Sequence, residues 1–441
     1  MGRIVFIGSH LGYPMDRTPL GGGAMVGLQL VLHWARMGSG NDAAPRLTVV
    51  GAGAHPPAPG VRYLQLPKGA SPDLVRKSEL GYARFCREFE EETTRFLKRE
   101  REKHDPRHTT VIVNDISESP DLDAVAAMGY PIISIWHVDV VEFFNRIYLG
   151  ELLAPERLTA AYAWAADHFG ARLFPDILRL VFQKQRQAVH RSRLLVLPSR
   201  QMSDTIRRCY PGAGARMLIL PWGGWRKDYP GAEIEAEARR LREHYQLRPD
   251  TLVCMTLSRI SPEKGIHYLL EALLRLEDDG AFAGREICLF IGGETAFMRG
   301  EAYGRRVRRA AEKFKRFRIF FPGYLSGLHK QAYLKLADLF ISPSVHESYG
   351  LTLVEAMQAG LPVLASDHYG VEEILDPAYS RTVSYRRAGR RTANLASALR
   401  ELLSDGAALR RMGELARTAS AKMLFSDSAR RLLDEAESVR T

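Results

Sequence analysis

Short, nearly continuous apolar runs alternate with longer stretches of helical periodicity along this whole chain, and that alternation leaves little choice of fold. Residues 4–8, 47–51, 111–114, 132–136 and 194–198 form one series of runs. Residues 252–257, 287–291, 318–321, 339–342, 362–365 and 381–384 form a second. Strands that are apolar on both faces belong in parallel sheets covered by helices on each side. Between them apolar residues recur at i, i+3, i+4 and i+7, as at Leu28, Val31, Leu32 and Ala35. The pattern predicts an α/β protein with two doubly wound parallel sheets. A length of 441 residues suits two or three domains rather than one core.

Pro221, Gly223 and Gly224 follow a strand that ends near Leu220, which places a linker there. The expected division is an N-terminal domain over 1–221 and a C-terminal domain over 222–424. Residues 142–193 show no strand pattern and are rich in helix formers and aromatics, so they read as helices inserted in the first domain. The last segment, 425–441, carries Leu432 and Leu433 among charges and reads as a closing helix.

Charge narrows the partners. There are 62 Lys and Arg against 51 Asp and Glu, a net charge of +11, which favours nucleotides, nucleic acid or an acidic membrane surface. The excess gathers at Arg305, Arg306, Arg308 and Arg309, at Lys313 to Arg318, and at Arg186, Arg191 and Arg193. Solvated helix faces account for such runs equally well. Neither zinc-finger spacing nor an RNP-like aromatic strand accompanies them, so no nucleic-acid partner is expected. The chain has no apolar run of eighteen residues, and residues 4–7 are too short for a signal-peptide core. Cys86, Cys209, Cys254 and Cys288 are far apart, and no N-x-[ST] site occurs. The expectation is a cytoplasmic protein whose cysteines pack in the core, without disulfides and without a metal site.

Some motifs mislead. Gly51-Ala52-Gly53 follows a strand, but Pro56-Pro57 opposes the helix that a dinucleotide fingerprint needs. Asp121-Leu122-Asp123 has the spacing of a metal-binding D-x-D, yet it opens a helix, where acids simply complement the dipole. Gly21-Gly22-Gly23 opens the 24–37 helix, where bare backbone and free N–H groups suit an anion; a flexible loop is the plainer alternative.

The second series carries more. The strand 252–257 leads into Ser258-Arg259-Ile260-Ser261-Pro262-Glu263-Lys264-Gly265, two cations five residues apart at a strand's carboxyl end. Such an edge is where open α/β sheets bind ligands, and Arg and Lys suit phosphate oxygens. The plainer alternative pairs Arg259 with Glu263 and leaves Lys264 solvated. After the strand 339–342, Glu347 sits in a loop and Glu355 one turn into a helix that should run over 351–359. Glutamates accept hydrogen bonds from vicinal hydroxyls, so the pair suits a sugar and a ribose; helix capping and a solvated face are the plainer alternatives.

These segments resemble glycosyltransferase family 4. Two glutamates with seven residues between them, followed by Ala356-Met357 and Gly360-Leu361-Pro362-Val363, match its most specific signature. Arg259 and Lys264-Gly265 match its diphosphate-binding segment, Ile291-Gly292-Gly293-Glu294 its glycine-rich turn, and Pro221 to Gly224 its linker. The resemblance is tight over 252–365 and looser before it. It implies two facing Rossmann-like domains of the B type with a cleft between them, the first for the acceptor and the second for the donor. It also implies that the 425–441 helix packs back on the first domain.

By this resemblance Arg259 and Lys264 hold the nucleotide diphosphate, Glu355 the ribose, and Glu347 the transferred sugar beside the backbone of Gly350 and Leu351. Gly21, Gly22, Gly23 and Gly292 complete the donor side. His137 takes the place of the active-site histidine, with Asp139 to orient it and both on the acceptor side; a satisfied core histidine is the alternative. Ser258, Ser348-Tyr349, His346 and Glu294 depart from the usual pattern without removing a charge. The implied reaction is retaining transfer of a hexose from a nucleotide diphosphate sugar, most often UDP-linked, to a hydroxyl. It needs no cofactor or metal, because Arg259, Lys264 and glycine-loop N–H groups neutralise the leaving diphosphate. Alanine at Arg259 or Lys264 is expected to leave unliganded melting unchanged while slowing transfer. The two domains are expected to close on the donor about 220–224. An epimerase or phosphorylase of the same fold and a non-catalytic nucleotide-binding or membrane-surface protein stay open as alternatives. The acceptor is a small molecule, a saccharide or a lipid-linked molecule, and basic helices in 142–193 permit contact with an inner membrane surface.

Overall fold

The computed structural model describes residues 2–14, 18, 20–38, 45–67, 74, 77–150, 153–225, 229–295 and 300–440. The chain divides into two compact units, Met1–Trp222 with Phe425–Thr441, and Gly223–Leu424.

The first unit is built on seven strands: β1 (Arg3–Ile7), β2 (Arg46–Gly51), β3 (Arg62–Gln65), β4 (Thr109–Val113), β5 (Ile132–Ile135), β6 (Leu194–Leu197) and β7 (Arg216–Ile219). They lie in the order β3-β2-β1-β4-β5-β6-β7, and every pairing is parallel. All five residues of β4, Thr-Thr-Val-Ile-Val, are buried, as a strand covered on both faces requires. The order reverses between β1 and β4, so the crevice at their carboxyl ends is this sheet's switch point. Between 142 and 193 the described residues form helices but no strand, including Val140–Tyr148, Pro155–Phe169 and Lys184–Arg191, with a π turn over Arg179–Gln183. The closing helix Phe425–Ser438 belongs to this unit. Its buried face is Phe425, Ala429, Leu432 and Ala436, and Trp34 Nε1 donates to the Ala429 carbonyl at 2.8 Å.

The second unit has six strands: β8 (Leu252–Leu257), β9 (Ile287–Gly292), β10 (Arg318–Gly323), β11 (Leu339–Ser342), β12 (Val363–Ser366) and β13 (Ser380–Val383). The order is β10-β9-β8-β11-β12-β13, again all parallel. Here the switch point lies between β8 and β11. Two parallel, doubly wound sheets were predicted, and two are present. The apolar runs of the sequence correspond to strands within one or two residues; β3 is not among them, and β7 enters only as the strand before the linker. Among the described residues no helix is long and apolar enough to cross a membrane.

Candidate active site

The two loops that leave the second sheet's switch point are locked together through backbone. After β8 the chain makes a 3₁₀ turn over Pro262–Lys264 and passes through Gly265 at φ +62°. A Cβ on Gly265 would lie 2.0 Å from the Pro343 carbonyl, so only glycine lets the two loops approach so closely. The Glu263 carbonyl accepts from the N–H groups of Val345 and His346 at 2.8 and 3.1 Å. The loop's charged residues are thereby set against those of 343–350.

Arg259 does pair with Glu263, Nη2 to Oε1 at 3.5 Å, while keeping about a third of its side chain exposed. Lys264 is not a solvated lysine. It is buried, and its Nζ lies 2.5 Å from Glu347 Oε2. Burial pushes the Glu347 carboxyl up, but the Lys264 ammonium, with His368 and His346 nearby, outweighs it and holds the carboxyl at about 2. Glu347 therefore stays ionised and available as an acceptor. His346 and His368 are both buried, and sequence reasoning noted the first only as a departure and missed the second.

Gly350, at φ +101°, opens the helix Leu351–Gln358 with no side-chain cap, which leaves its first N–H groups for a ligand. Glu355, on the second turn, meets Lys330 Nζ at 2.6 Å. Lys330 comes from the helix Gly327–Leu336, and nothing in its sequence neighbourhood marks it. The structure thus brings Arg259, Lys264, Glu347, Gly350, Leu351 and Glu355 to the switch-point edge of one sheet.

The glycine turn after β9 is closely packed. A Cβ on Gly292 would meet Leu325 at 2.9 Å and Leu257 at 3.0 Å, and one on Gly293 would lie 1.9 Å from the Ser258 carbonyl. The Gly293 N–H donates to the Gly323 carbonyl at 2.7 Å. These glycines let β9 pack against the β8 loop.

In the first unit, Gly23 and His137 do come together. A Cβ on Gly23 would touch the imidazole at 2.7 Å. Asn114, at the end of β4, bridges them: its Nδ2 donates to the Gly23 carbonyl at 3.1 Å, and its Oδ1 lies 3.2 Å from His137 Nε2. That bond makes Nε2 the protonated nitrogen and Nδ1 the acceptor. Burial, followed by the nearby His10, lowers the His137 pKa to about 3 despite the bond to Asn114, so the ring is neutral at ordinary pH. Gly21 has φ +95° and open space where a Cβ would stand, and the helix Gly22–Gly38 starts directly after it.

Asp139 is a correction. Its Oδ1 caps the helix Val140–Tyr148 by accepting from Glu142 N–H at 3.1 Å and from Gln185 Nε2 at 3.1 Å. Asn114, not Asp139, orients His137. Asp121 and Asp123 behave as the plain reading required: Asp121 caps its helix, Gln187 Nε2 donates to both acids, and Arg191 pairs with Asp123 at 2.5 Å. Beyond Asn114, sequence reasoning missed Asp115 and Glu118. Tyr82 donates to Glu118, and burial and then Glu118 push the Asp115 carboxyl well up. Their signal was present: Asn114-Asp115-Ile116-Ser117-Glu118 is a polar stretch at a strand's carboxyl end, as Arg259 to Lys264 is.

Comparison with known proteins finds a likeness over part of the chain. Residues 237–419 match the family model described as Glycosyl transferases group 1. The second unit resembles these transferases. Alpha-D-kanosaminyltransferase of Streptomyces kanamyceticus is 26% identical over 230 residues, 52% of this chain and 56% of that protein. The chain spans about half the length of the curated relatives it matches first. Among solved structures, sucrose-phosphate synthase from Thermosynechococcus elongatus superposes with a TM-score of 0.71 at 18% identity, covering 100% of this chain and 99% of that one. Anabaena HepE in complex with UDP and glucose gives 0.62 at 16%, covering 99% and 100%. The shared fold is that of two Rossmann-like parallel-sheet units.

Proposed function

We propose that this protein is a glycosyltransferase that moves a hexose from a nucleotide diphosphate sugar to a hydroxyl acceptor, with retention of configuration and without a divalent metal. The observation that carries this reading is the convergence of Arg259, Lys264, Glu347 and Glu355 at one switch point, inside the stretch that matches the group 1 transferases.

On this reading Arg259 and Lys264 are the fixed counter-charge of the leaving diphosphate. Lys264 is already oriented by Glu347, so little reorganisation precedes the reaction. The open N–H groups at Gly350 and Leu351 add positive dipole to the same region. Glu347, held ionised, accepts from hydroxyls of the transferred sugar, and Glu355, steadied by Lys330, accepts from the ribose. The acceptor hydroxyl attacks the anomeric carbon from the leaving group's own face; its proton goes to the departing phosphate oxygen as the sugar–phosphate bond breaks. His137, neutral and oriented by Asn114, serves the acceptor side with Gly21 to Gly23 beside it. UDP is the favoured carrier, supported by the solved complex of HepE with UDP and glucose. The acceptor class is a small molecule, a saccharide or a lipid-linked molecule.

The test is transfer from UDP-, GDP- and ADP-sugars to a panel of such acceptors in excess EDTA, with the product's anomeric configuration read by NMR. Turnover with a UDP-sugar that survives EDTA and retains configuration is expected. Activity lost in EDTA and restored by Mn²⁺ would overturn the charge assignment, and a donor isomerised or phosphorolysed instead would replace the reaction. Calorimetry with UDP then separates the glutamates: Glu355→Ala should lose UDP affinity, while Glu347→Ala should lose turnover first.

A further inference from the structure

The second unit carries a cleft of about 480 Å³ between the helices Ile266–Asp278 and Gly300–Ala311. Small ligands ordinarily occupy clefts of that size. Arg305, Arg306, Arg309 and Lys313 line it. Its floor is aliphatic, with Leu270 and Val307 buried. The one acid lining it, Glu271, accepts from Thr392 Oγ1 at 3.0 Å, and His267 is engaged with Tyr303 at 2.8 Å.

The cations of this cleft have little acid beside them, whereas several surface arginines are closely paired. Arg208, Arg191 and Arg400 each hold a carboxylate within 3 Å. Among the described residues, Arg306, Arg309 and Lys313 have no acidic partner, and Arg305 reaches Glu301 only at 3.9 Å between two exposed chains. Arg305 and Arg309 stand four apart on the helix, and Arg306 and Arg309 three apart, so like charges share one face and weaken the helix. The helix dipole favours cations only in the last turn, and Arg305 and Arg306 stand near the middle. Neighbouring cations along one wall, above an aliphatic floor, form an arrangement that a multiply charged anion relieves.

We infer that this cleft binds a phosphorylated ligand, with the phosphate on Arg305, Arg306, Arg309 and Lys313 and the ligand's body over Leu270 and Val307. Guanidinium forks match phosphate oxygens two at a time, and four cations lining one cleft suit a dianion better than a single carboxylate. Neither Arg259 nor Lys264 lines this cleft, and the inference does not depend on the donor reading. A free phosphorylated molecule and the headgroup of an anionic phospholipid present the same chemistry, and two probes distinguish them.

Binding of inorganic phosphate, and co-sedimentation with phosphatidylcholine vesicles that do or do not contain phosphatidylglycerol, would be measured on the full chain, on R306Q/R309Q and on R259A. The double variant should weaken binding by roughly tenfold or more, since two charge-assisted contacts are lost, while R259A keeps it. Loss of the phosphate response assigns a free ligand; loss of vesicle binding with phosphate silent throughout assigns a headgroup. Because like-charge repulsion is relieved, R306Q/R309Q should melt no lower than the unmodified chain without ligand. The inference falls if neither probe binds the unmodified protein, if R306Q/R309Q binds both probes undiminished, or if that variant melts lower.

Discussion

Lys264 shows how a single residue changes meaning once its neighbours are known. From sequence it reads as a phosphate ligand or a solvated first-turn lysine; in the structure it is buried against Glu347 at 2.5 Å. The expectation that alanine there leaves melting untouched therefore needs correction. Lys264→Ala strands an ionised, largely enclosed carboxylate, so unliganded stability should fall by about 1–3 kcal/mol, and Glu347→Gln in the same chain should recover part of it. Arg259 is more exposed, and Arg259→Ala should leave melting near its original value. Both variants should lose roughly 10²–10³ in turnover; thermal melts beside transfer rates separate the two effects. His137 gives a test in pH. Its pKa falls from 6.5 to about 3 in the folded protein, so between those values the unfolded chain takes up a proton that the folded chain refuses. Stability should then decline as pH drops from about 6.5 towards 3, with no contribution above 6.5. His137→Gln should flatten that decline by up to about 1.4 kcal/mol per pH unit, measured as melting against pH. A slope identical in both proteins would show that His137 is not held neutral.

At the scale of elements, most of the sheet was readable because buried parallel strands are apolar on both faces, as in β8 (Leu-Val-Cys-Met-Thr-Leu), all of it buried. β3 (Arg-Tyr-Leu-Gln) was not, because an edge strand with no fully buried residue needs no apolar run. The same physics divides the site. Arg259, Lys264, Glu347 and Glu355 were legible because charges at strand ends and helix starts are local patterns. Lys330 and Asn114 were not, because their partners Glu355 and His137 lie 25 and 23 residues away along the chain. Asp139 was misread because proximity in sequence to His137 suggested contact, whereas the residue before a helix more often caps it. The docking of the β8 loop on the β11 loop makes a further prediction. Gly265 and Gly280 both have positive φ, but a Cβ at Gly280 meets nothing within 4 Å. Gly280→Ala should show the left-handed strain alone, about 1 kcal/mol. Gly265→Ala must also push back the Pro343 carbonyl, so it should cost more and reduce transfer beyond what the lower melting point explains.

For the whole molecule, the decisive feature is that the first unit is made of two separated stretches of chain, 1–222 and 425–441. Phe425, Ala429, Leu432 and Ala436 are buried there, Thr110 on β4 donates to the Ala436 carbonyl at 2.6 Å, and Arg193 Nη1 donates to the Val439 carbonyl at 2.5 Å. Ending the chain after Leu424 should therefore lower the stability of the first unit and leave the second nearly intact, which hydrogen exchange resolved by peptide would register as faster exchange in β1, β4 and the Gly22–Gly38 helix. The same layout orders events on the ribosome. The first unit's sheet is synthesised before the second unit, but its 425–441 helix is synthesised after it, so the second unit, contiguous over Gly223–Leu424, has all its residues available while the earlier one still waits for Trp34 and Thr110 to be covered. A nascent chain arrested before residue 425 would present that apolar face to chaperones, and the first unit would become resistant to protease after the second.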